Sequence, residues 1–460
     1  MAKVYPKYKD SGAPWFGEVP SHWQTPRLGS VLRERKETNK ANDVTKILSV
    51  MKDIGVIPYE EKGRVGNKCS EDITRYKIVR PGDIVANCMN IIIGSVGLSK
   101  YTGCLSPVYY VLTPRSQEDD SRFFDYVFKT KSFQLSLVRL GNGIMAHRMR
   151  IPMELLKCET IPKPPTEEQK AIVEYLDVVN KIFRRYIREK QKVIKLLNEQ
   201  KQAIIDHALG YGVKQNIRLK SSGIDWLGEN PEGWKIKRLK YLVQNCNEQT
   251  SSKAKDEIYI ALDQIESWTG RVSFPESEII FESQVKRFCA GDILFCKLRP
   301  YLAKVTRPSE CGVCVGELLV LRPKSLDLLP DFIEQKLRSA RVINMVNSST
   351  FGAKMPRADW SFVGNLSIQY PDTIEEQREI LDYIKKNTEK LTVAIDQIKS
   401  EIELIREYCT RIISDVVTGK IDVRDIKLPE IEDVTNPEPI EEQESLEDVE
   451  DTEEVVNADE

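Results

Sequence analysis

Histidine is nearly absent from this chain, with three residues in 460, at positions 22, 147 and 207. Metal centres and nucleophile triads built on imidazole therefore have almost no material. There is no Walker phosphate loop, no dinucleotide glycine fingerprint, and no Asn/Asp-Pro-Pro-aromatic motif of the amino-methyltransferase kind. Long apolar runs are missing as well. The densest, Asn90-Ile91-Ile92-Ile93-Gly94, stops far short of the ~18 residues of a membrane span. Met1 to Tyr8 has no apolar segment after its lysine, so no secretory signal is expected. The ten cysteines are scattered along the chain, which predicts reduced thiols in the cytoplasm rather than a disulfide framework. These absences leave a cytoplasmic globular chain with no active site of its own.

A length of 460 residues predicts two or three domains. The formal charge of −2 conceals an asymmetry, because residues 430–460 hold fifteen acids and no base. Taking those fifteen from the 70 acids leaves 55 against 68 Lys and Arg in the rest of the chain. The acidic tail reads as disordered. The remainder is basic, which favours a polyanionic partner.

Self-similarity dominates what is present. Ser11-Gly12-Ala13-Pro14-Trp15-Phe16-Gly17-Glu18-Val19-Pro20-Ser21-His22-Trp23 returns as Ser222-Gly223-Ile224-Asp225-Trp226-Leu227-Gly228-Glu229-Asn230-Pro231-Glu232-Gly233-Trp234, an offset of 211. Gly82-Asp83-Ile84 matches Gly291-Asp292-Ile293, and Leu112-Thr113-Pro114 matches Leu321-Arg322-Pro323, both at 209. Ala146-His147-Arg148-Met149-Arg150 matches Ala353-Lys354-Met355-Pro356-Arg357 at 207, and Glu168-Gln169 matches Glu376-Gln377 at 208. The chain is a tandem duplication, each half a variable module followed by a helical one.

The variable modules alternate short β-branched stretches (Asp83 to Ala86, Val108 to Leu112; Asp292 to Phe295, Glu317 to Leu321) with Gly and Pro turns, a β-rich α+β pattern. Thr166-Glu167-Glu168-Gln169 and Thr373-Ile374-Glu375-Glu376 fit capping boxes. Alternating steps of four and three from Ile172 pass through Leu176, Val179, Phe183, Tyr186, Lys190 and Val193. From Ile380 they pass through Ile384, Asn387, Leu391, Ala394 and Ile398 to Glu401. Gly210 and Gly419 supply the stops. Each helix is expected to run about 44 residues, roughly 65 Å. Such rods bury their seams against each other, as an antiparallel pair with facing positions summing to about 590, Lys190 opposite Glu401 and Gln200 near Asn387.

Two apparent sites are decoys. Asp331, Glu334 and Lys336 imitate a nuclease constellation, but they lie within two turns of one helix instead of converging from separate strands. Cys311-Gly312-Val313-Cys314 has zinc-like spacing, yet a closed site needs four ligands.

Taken together, these features resemble the specificity (S) subunit of a type I restriction-modification system over residues from about 10 to 425. The resemblance rests on the paired Trp15-Phe16-Gly17-Glu18…Pro20…Trp23 and Trp226-Leu227-Gly228-Glu229…Pro231…Trp234 motifs. The Glu-Glu-Gln helix starts and the Thr418-Gly419-Lys420-Ile421-Asp422 close extend it. It implies an α+β fold, with two β-rich α+β target-recognition domains separated by two long antiparallel coiled-coil helices and a pseudo-two-fold internal repeat. The domains fall at 1–163 and 211–370, the helices at 164–210 and 371–425, and the acidic tail at 426–460. The implied function is to read a bipartite sequence in double-stranded DNA, one half per domain. Helix residues such as Gln169, Tyr175, Gln377 and Tyr383 would dock two methyltransferase (M) subunits, and restriction (R) subunits join through them. AdoMet would belong to M, ATP and magnesium to R, and no cofactor to this chain.

The loops after the Gly-Asp-Ile strands carry Asn87 and Asn90 in one half and Lys297 and Arg299 in the other. Asn can pair bidentately with adenine, and Arg or Lys with guanine. A second shared loop offers His147, Arg148 and Arg150, with Lys354 and Arg357 as counterparts; these suit bases or phosphates equally. An ion pair with an acid is the structural alternative for Arg150 and Arg357. Trp15, Trp23, Trp226 and Trp234 read as packing anchors. Two other classes stay open: a DNA-modifying enzyme active as a single chain, and a coiled-coil scaffold indifferent to DNA.

Overall fold

The computed structural model describes residues 4–52, 54–62, 69–70, 72–141, 149–214, 216–254, 256–274, 284–352 and 355–429. The chain forms two compact units, residues 1–190 with 400–460, and residues 191–399. Both long helices are divided between them. The acidic stretch 430–460 lies outside the described residues.

Each unit is built on an antiparallel four-stranded sheet. In the first the order is Leu32–Glu34, Tyr109–Pro114, Ile84–Asn87, Val96–Leu98. In the second it is Val243–Cys246, Leu318–Pro323, Ile293–Cys296, Val305–Thr306. The order is the same and so is the register: Leu112 pairs with Ile84, and Leu321 with Ile293. Gly82 and Gly291, at φ +88 and +83, turn the chain into the central strand. The aspartate that follows accepts a backbone N–H from three residues back, Arg80 to Asp83 and Cys289 to Asp292, each at 2.8 Å. A guanidinium then locks each carboxylate, but from different places: Arg35 at 3.0 and 3.1 Å in the first unit, Arg322 at 2.7 and 2.9 Å in the second.

Both faces of these sheets are buried, which is why their central strands read as continuous apolar runs rather than alternating ones. Ile84 and Ala86 face the helices Ser121–Lys129 and Lys131–Leu137 through Phe123, Phe124, Phe128 and Phe133, while Val85 faces Leu48, Val79, Leu105 and Val111. In the second unit Ile293 and Phe295 meet Phe332, Ile333, Leu337 and Val342, while Leu294 faces Ile260, Phe288 and Val320. Each fully buried side chain of this kind stabilises by about 1.5–3 kcal/mol. The outer layer of the second unit is itself a sheet, ordered Gln249–Thr250, Val285–Phe288, Gly312–Cys314, Ile258–Ile260.

The long helices span Thr166–Tyr211 and Ile374–Val417. Within the first unit they run antiparallel: Asn180 meets Cys409, Phe183 meets Tyr408, and Lys190 Nζ lies 2.9 Å from Glu401 Oε2. The sum near 590 therefore holds, but the seam differs from the expected one. Val179 packs on the first unit's core as expected, beside half-buried Asn180, but beyond it Ile187, Ile194 and Lys201 face inward where Tyr186, Val193 and Gln200 were expected. The second helix shifts likewise after Ile384, burying Thr388, Ile395 and Ile402, and leaving Asn387 and Tyr408 exposed. A straight α-helix repeats every 3.6 residues, so its buried stripe drifts from a strict 3.5-residue walk.

The helix ends also differ from expectation. The first helix already includes Thr166, and Pro165 O receives the N–H groups of Glu168 and Gln169. At the second helix half of the capping box forms, Glu376 N–H donating to Thr373 Oγ1 at 3.3 Å. Gly210 is helical; the stop is Gly212 at φ +79, matching Gly419 at +76.

Candidate nucleic-acid interface

The clearest shared geometry lies where the two repeated loops meet. In the first unit Ile151 N–H donates to Cys88 O at 2.9 Å, and in the second Ala358 N–H donates to Lys297 O at 2.8 Å. Those positions correspond across the repeat, so Asn90 is the counterpart of Arg299 and Arg150 of Arg357. Loops roughly sixty residues apart in sequence are clasped together in each half by one backbone bond.

In the second unit the clasp gathers Lys297, Arg299 and Arg357. Arg299 holds a left-handed backbone, φ +48, with its N–H donating to Pro356 O at 2.8 Å. A non-glycine residue in this region costs about 1–2 kcal/mol and is found where surrounding structure forces it. Leu298 and Phe351 each bridge to Arg357. Glu317 sits between two of the cations, 3.0 Å from Arg357 and 3.8 Å from Lys297. The ion pair considered as the alternative for Arg357 is thus present. Two of the three cations share this carboxylate, which leaves net positive charge beside exposed Tyr301 and Phe351.

At the matching positions of the first unit Cys88 and Asn90 stand for Lys297 and Arg299, and Arg150 stands for Arg357. Asn87 accepts the Met89 N–H at 3.1 Å, capping its own turn, and Asn90 opens the short Ile91–Ile93 turn half-buried. Arg150 is exposed and lies against the Cys88 thiol, which burial pushes up and Arg150 draws back down. His147, Arg148 and Lys354 fall outside the described residues.

Gln169 and Gln377, expected on docking surfaces, are wholly buried. Gln169 donates to Pro164 O at 2.9 Å and accepts the Asp120 N–H at 2.9 Å; Gln377 donates to Pro371 O and Asp327 O and accepts the Leu329 N–H. Their amides bind each helix start to its own sheet module and present nothing outward. Tyr175 is half-buried on the first unit's core, and Tyr383 is exposed. The decoys are absorbed too. Lys336 is buried, donates to Leu209 O at 2.7 Å, and is pushed down to about 7 by desolvation. Glu334 pairs with Arg338 and Arg307. Cys314 is buried within the strand Gly312–Cys314, while Cys311 just before it is exposed, so the two do not converge on one site.

Glu168 and Glu376 gave no sign of their role in sequence. Trp23 is fully buried and donates its indole N–H to Glu168 at 2.8 Å, joined by His22 at 2.6 Å and Tyr5 at 3.2 Å. Trp234 donates to Glu376 at 3.3 Å. Trp23 and Trp234 are anchors as expected, each tied to the glutamate that opens the next long helix, while Trp15 donates to Thr160 O at 3.0 Å. The constant offsets of Trp and Glu carried the only available signal.

Among the described residues no helix is long and apolar enough to cross a membrane. Residues 20–196 match the family described as type I restriction modification DNA specificity domain. The MjaVIII specificity subunit of Methanocaldococcus jannaschii is 23% identical over 428 residues, covering 89% of this chain and 95% of that protein. The putative MjaX specificity subunit of the same organism is 24% identical over 434 residues, 89% and 96%. A chain from a solved structure on complex assembly and conformational transition of the type I R-M system superposes with a TM-score of 0.62 at 15% identity, covering 88% of this chain and 99% of that one, so the fold is shared. Residues 20–196 thus match a type I specificity domain, and the chain is similar along most of its length to type I restriction-modification specificity subunits and shares their fold.

Proposed function

We propose that this chain is the non-catalytic address-giving subunit of a DNA-modifying complex, reading two separate half-sites in double-stranded DNA. The observation that carries this reading is the clasp repeated in both units, Ile151 to Cys88 and Ala358 to Lys297. It presents Asn90 and Arg299 at one equivalent position of a duplicated scaffold. Asparagine matches the donor–acceptor pattern of adenine in the major groove, and arginine that of guanine. The two units therefore read different bases from the same platform. The bases between the half-sites go unread. Two M subunits bring AdoMet and flip the target adenine out of the duplex; R subunits bring ATP and magnesium. This chain contributes sequence choice alone.

Co-expression with its M subunits, followed by mapping of methylated adenines, tests this. A split motif whose two parts follow substitutions in different units is expected. An undivided motif overturns the reading, as does methylation or cleavage by the purified single chain. Indifference to duplex DNA at moderate salt would leave the scaffold alternative.

A further inference from the structure

We propose that Cys289 and Cys311 are a redox pair that closes into a disulfide, a modification site confined to the second unit. The strands Val285–Phe288 and Gly312–Cys314 pair antiparallel with Lys286 opposite Cys314, Arg287 opposite Val313 and Phe288 opposite Gly312. The next pair in that register is Cys289 opposite Cys311. Ala290 N–H contacts Cys311 Sγ at 3.3 Å, so the thiol already lies against the chain at Cys289.

Hydrogen-bond parity defines which kind of pair this is. Arg287 N–H points away to Glu248 O, Cys311 O accepts from Ile258 on the opposite side, and Cys289 N–H is taken by Asp292. Cys289 and Cys311 are therefore a non-hydrogen-bonded pair, for which Cα atoms lie about 4.5 Å apart with side chains close. That is inside the roughly 4.4–6.8 Å range that a disulfide accepts. Paired residues also share a face. Phe288 covers Gly312 on the buried side, so the cysteine pair falls on the other side, and both thiols are exposed. Cys296 and Cys314, by contrast, are buried, their thiols pushed up to about 11 and about 12. At the equivalent positions the first unit has Arg80 and Thr102.

The oxidant is a small disulfide such as glutathione disulfide. One cysteine thiolate attacks it, forming a mixed disulfide and releasing one glutathione thiol. The second thiolate then displaces the other glutathione as the protein S–S bond forms. The cysteines together give up two protons and two electrons, and glutathione disulfide becomes two thiols. The ring so closed, residues 289–311, contains the strand Ile293–Cys296, Lys297, Arg299 and the turn Pro300–Leu302. Oxidation fastens the base of that hairpin, and the chemistry holds whether or not the hairpin reads DNA.

The test equilibrates the full chain in glutathione buffers of increasing oxidation, blocks free thiols with iodoacetamide and maps peptides by mass spectrometry. A Cys289–Cys311 linked peptide is expected at the oxidising end, with Tm raised by several degrees. In Cys311→Ser, Cys289 should stop at its glutathione adduct, and in Cys289→Ser/Cys311→Ser the Tm difference should vanish. Alkylation of both cysteines at the oxidising end, separate glutathione adducts on each in the unaltered chain, or a bridge from Cys289 to neighbouring Cys246 would each overturn the proposal.

Discussion

Arg299 combines a strained backbone with a half-buried guanidinium at the mouth of the clasp, so two substitutions there act on different quantities. Arg299→Ala removes the side chain and keeps the left-handed backbone. Arg299→Gly removes both the side chain and the ~1–2 kcal/mol of strain, against about 0.5–1 kcal/mol of extra unfolded-state freedom. The glycine variant should therefore be about 0–1.5 kcal/mol more stable than the parent chain, and the alanine variant close to it. DNA reading should suffer in both. A bidentate arginine–guanine contact discriminates by about 1–3 kcal/mol, or roughly 5- to 150-fold at one base pair. Arg357→Ala should cost less discrimination, because Glu317 already engages that guanidinium. The assay is competition binding by the complex with M subunits, using duplexes varied one base pair at a time and repeated at several salt concentrations. Both Arg299 variants should relax one position of one half-site and leave the other half-site unchanged. Equal weakening on every duplex, with the salt slope reduced by about 1, would identify a phosphate contact and refute the assignment.

Lys336→Met removes a buried cation whose pKa falls from 10.5 to about 7. A depressed lysine pKa penalises the folded state below that value, by up to about 5 kcal/mol, and the penalty fades as pH rises through 7 towards 10.5. The variant should therefore be more stable than the parent in urea melts at pH 6, less the ~1 kcal/mol of the lost bond to Leu209 O. That advantage should disappear by about pH 10; a pH-independent difference would contradict the burial. Gly419→Ala would drive a methyl group into Pro20 from an already left-handed backbone, so it should lower Tm sharply, whereas serine at exposed Gly12 should be milder. Gln169→Ala should destabilise by about 1–3 kcal/mol by leaving buried groups unpaired, with the methylated motif unchanged. A changed motif would return Gln169 to the functional surface.

Duplication, module order, the long helices and even the pairing of Lys190 with Glu401 were legible in the sequence, because each follows from local periodicity or from an offset that can be counted. The inward face of those helices was not. A one-residue slip beyond Val179 or Ile384 leaves the apolar count almost unchanged, and packing against the neighbouring helix alone selects Ile187, Ile395 and Ile402. The capping motif misled for a related reason: Gln169 suits an N3 side chain, but buried, unpaired groups at Asp120 and Pro164 claimed its amide first.

The candidate interface divides the same way. Residue types at strand ends could be read directly, since asparagine and arginine after Gly-Asp-Ile are local facts. That Arg357 is held by Glu317, and Arg299 by Pro356, depends on segments distant along the chain meeting within 3.0 Å. Sequence by itself determined that one module was copied and which side chains each copy carries. Tertiary structure decided which of those side chains remain available, because hydrogen bonds and ion pairs are settled by proximity in space, which spacing along the chain does not encode.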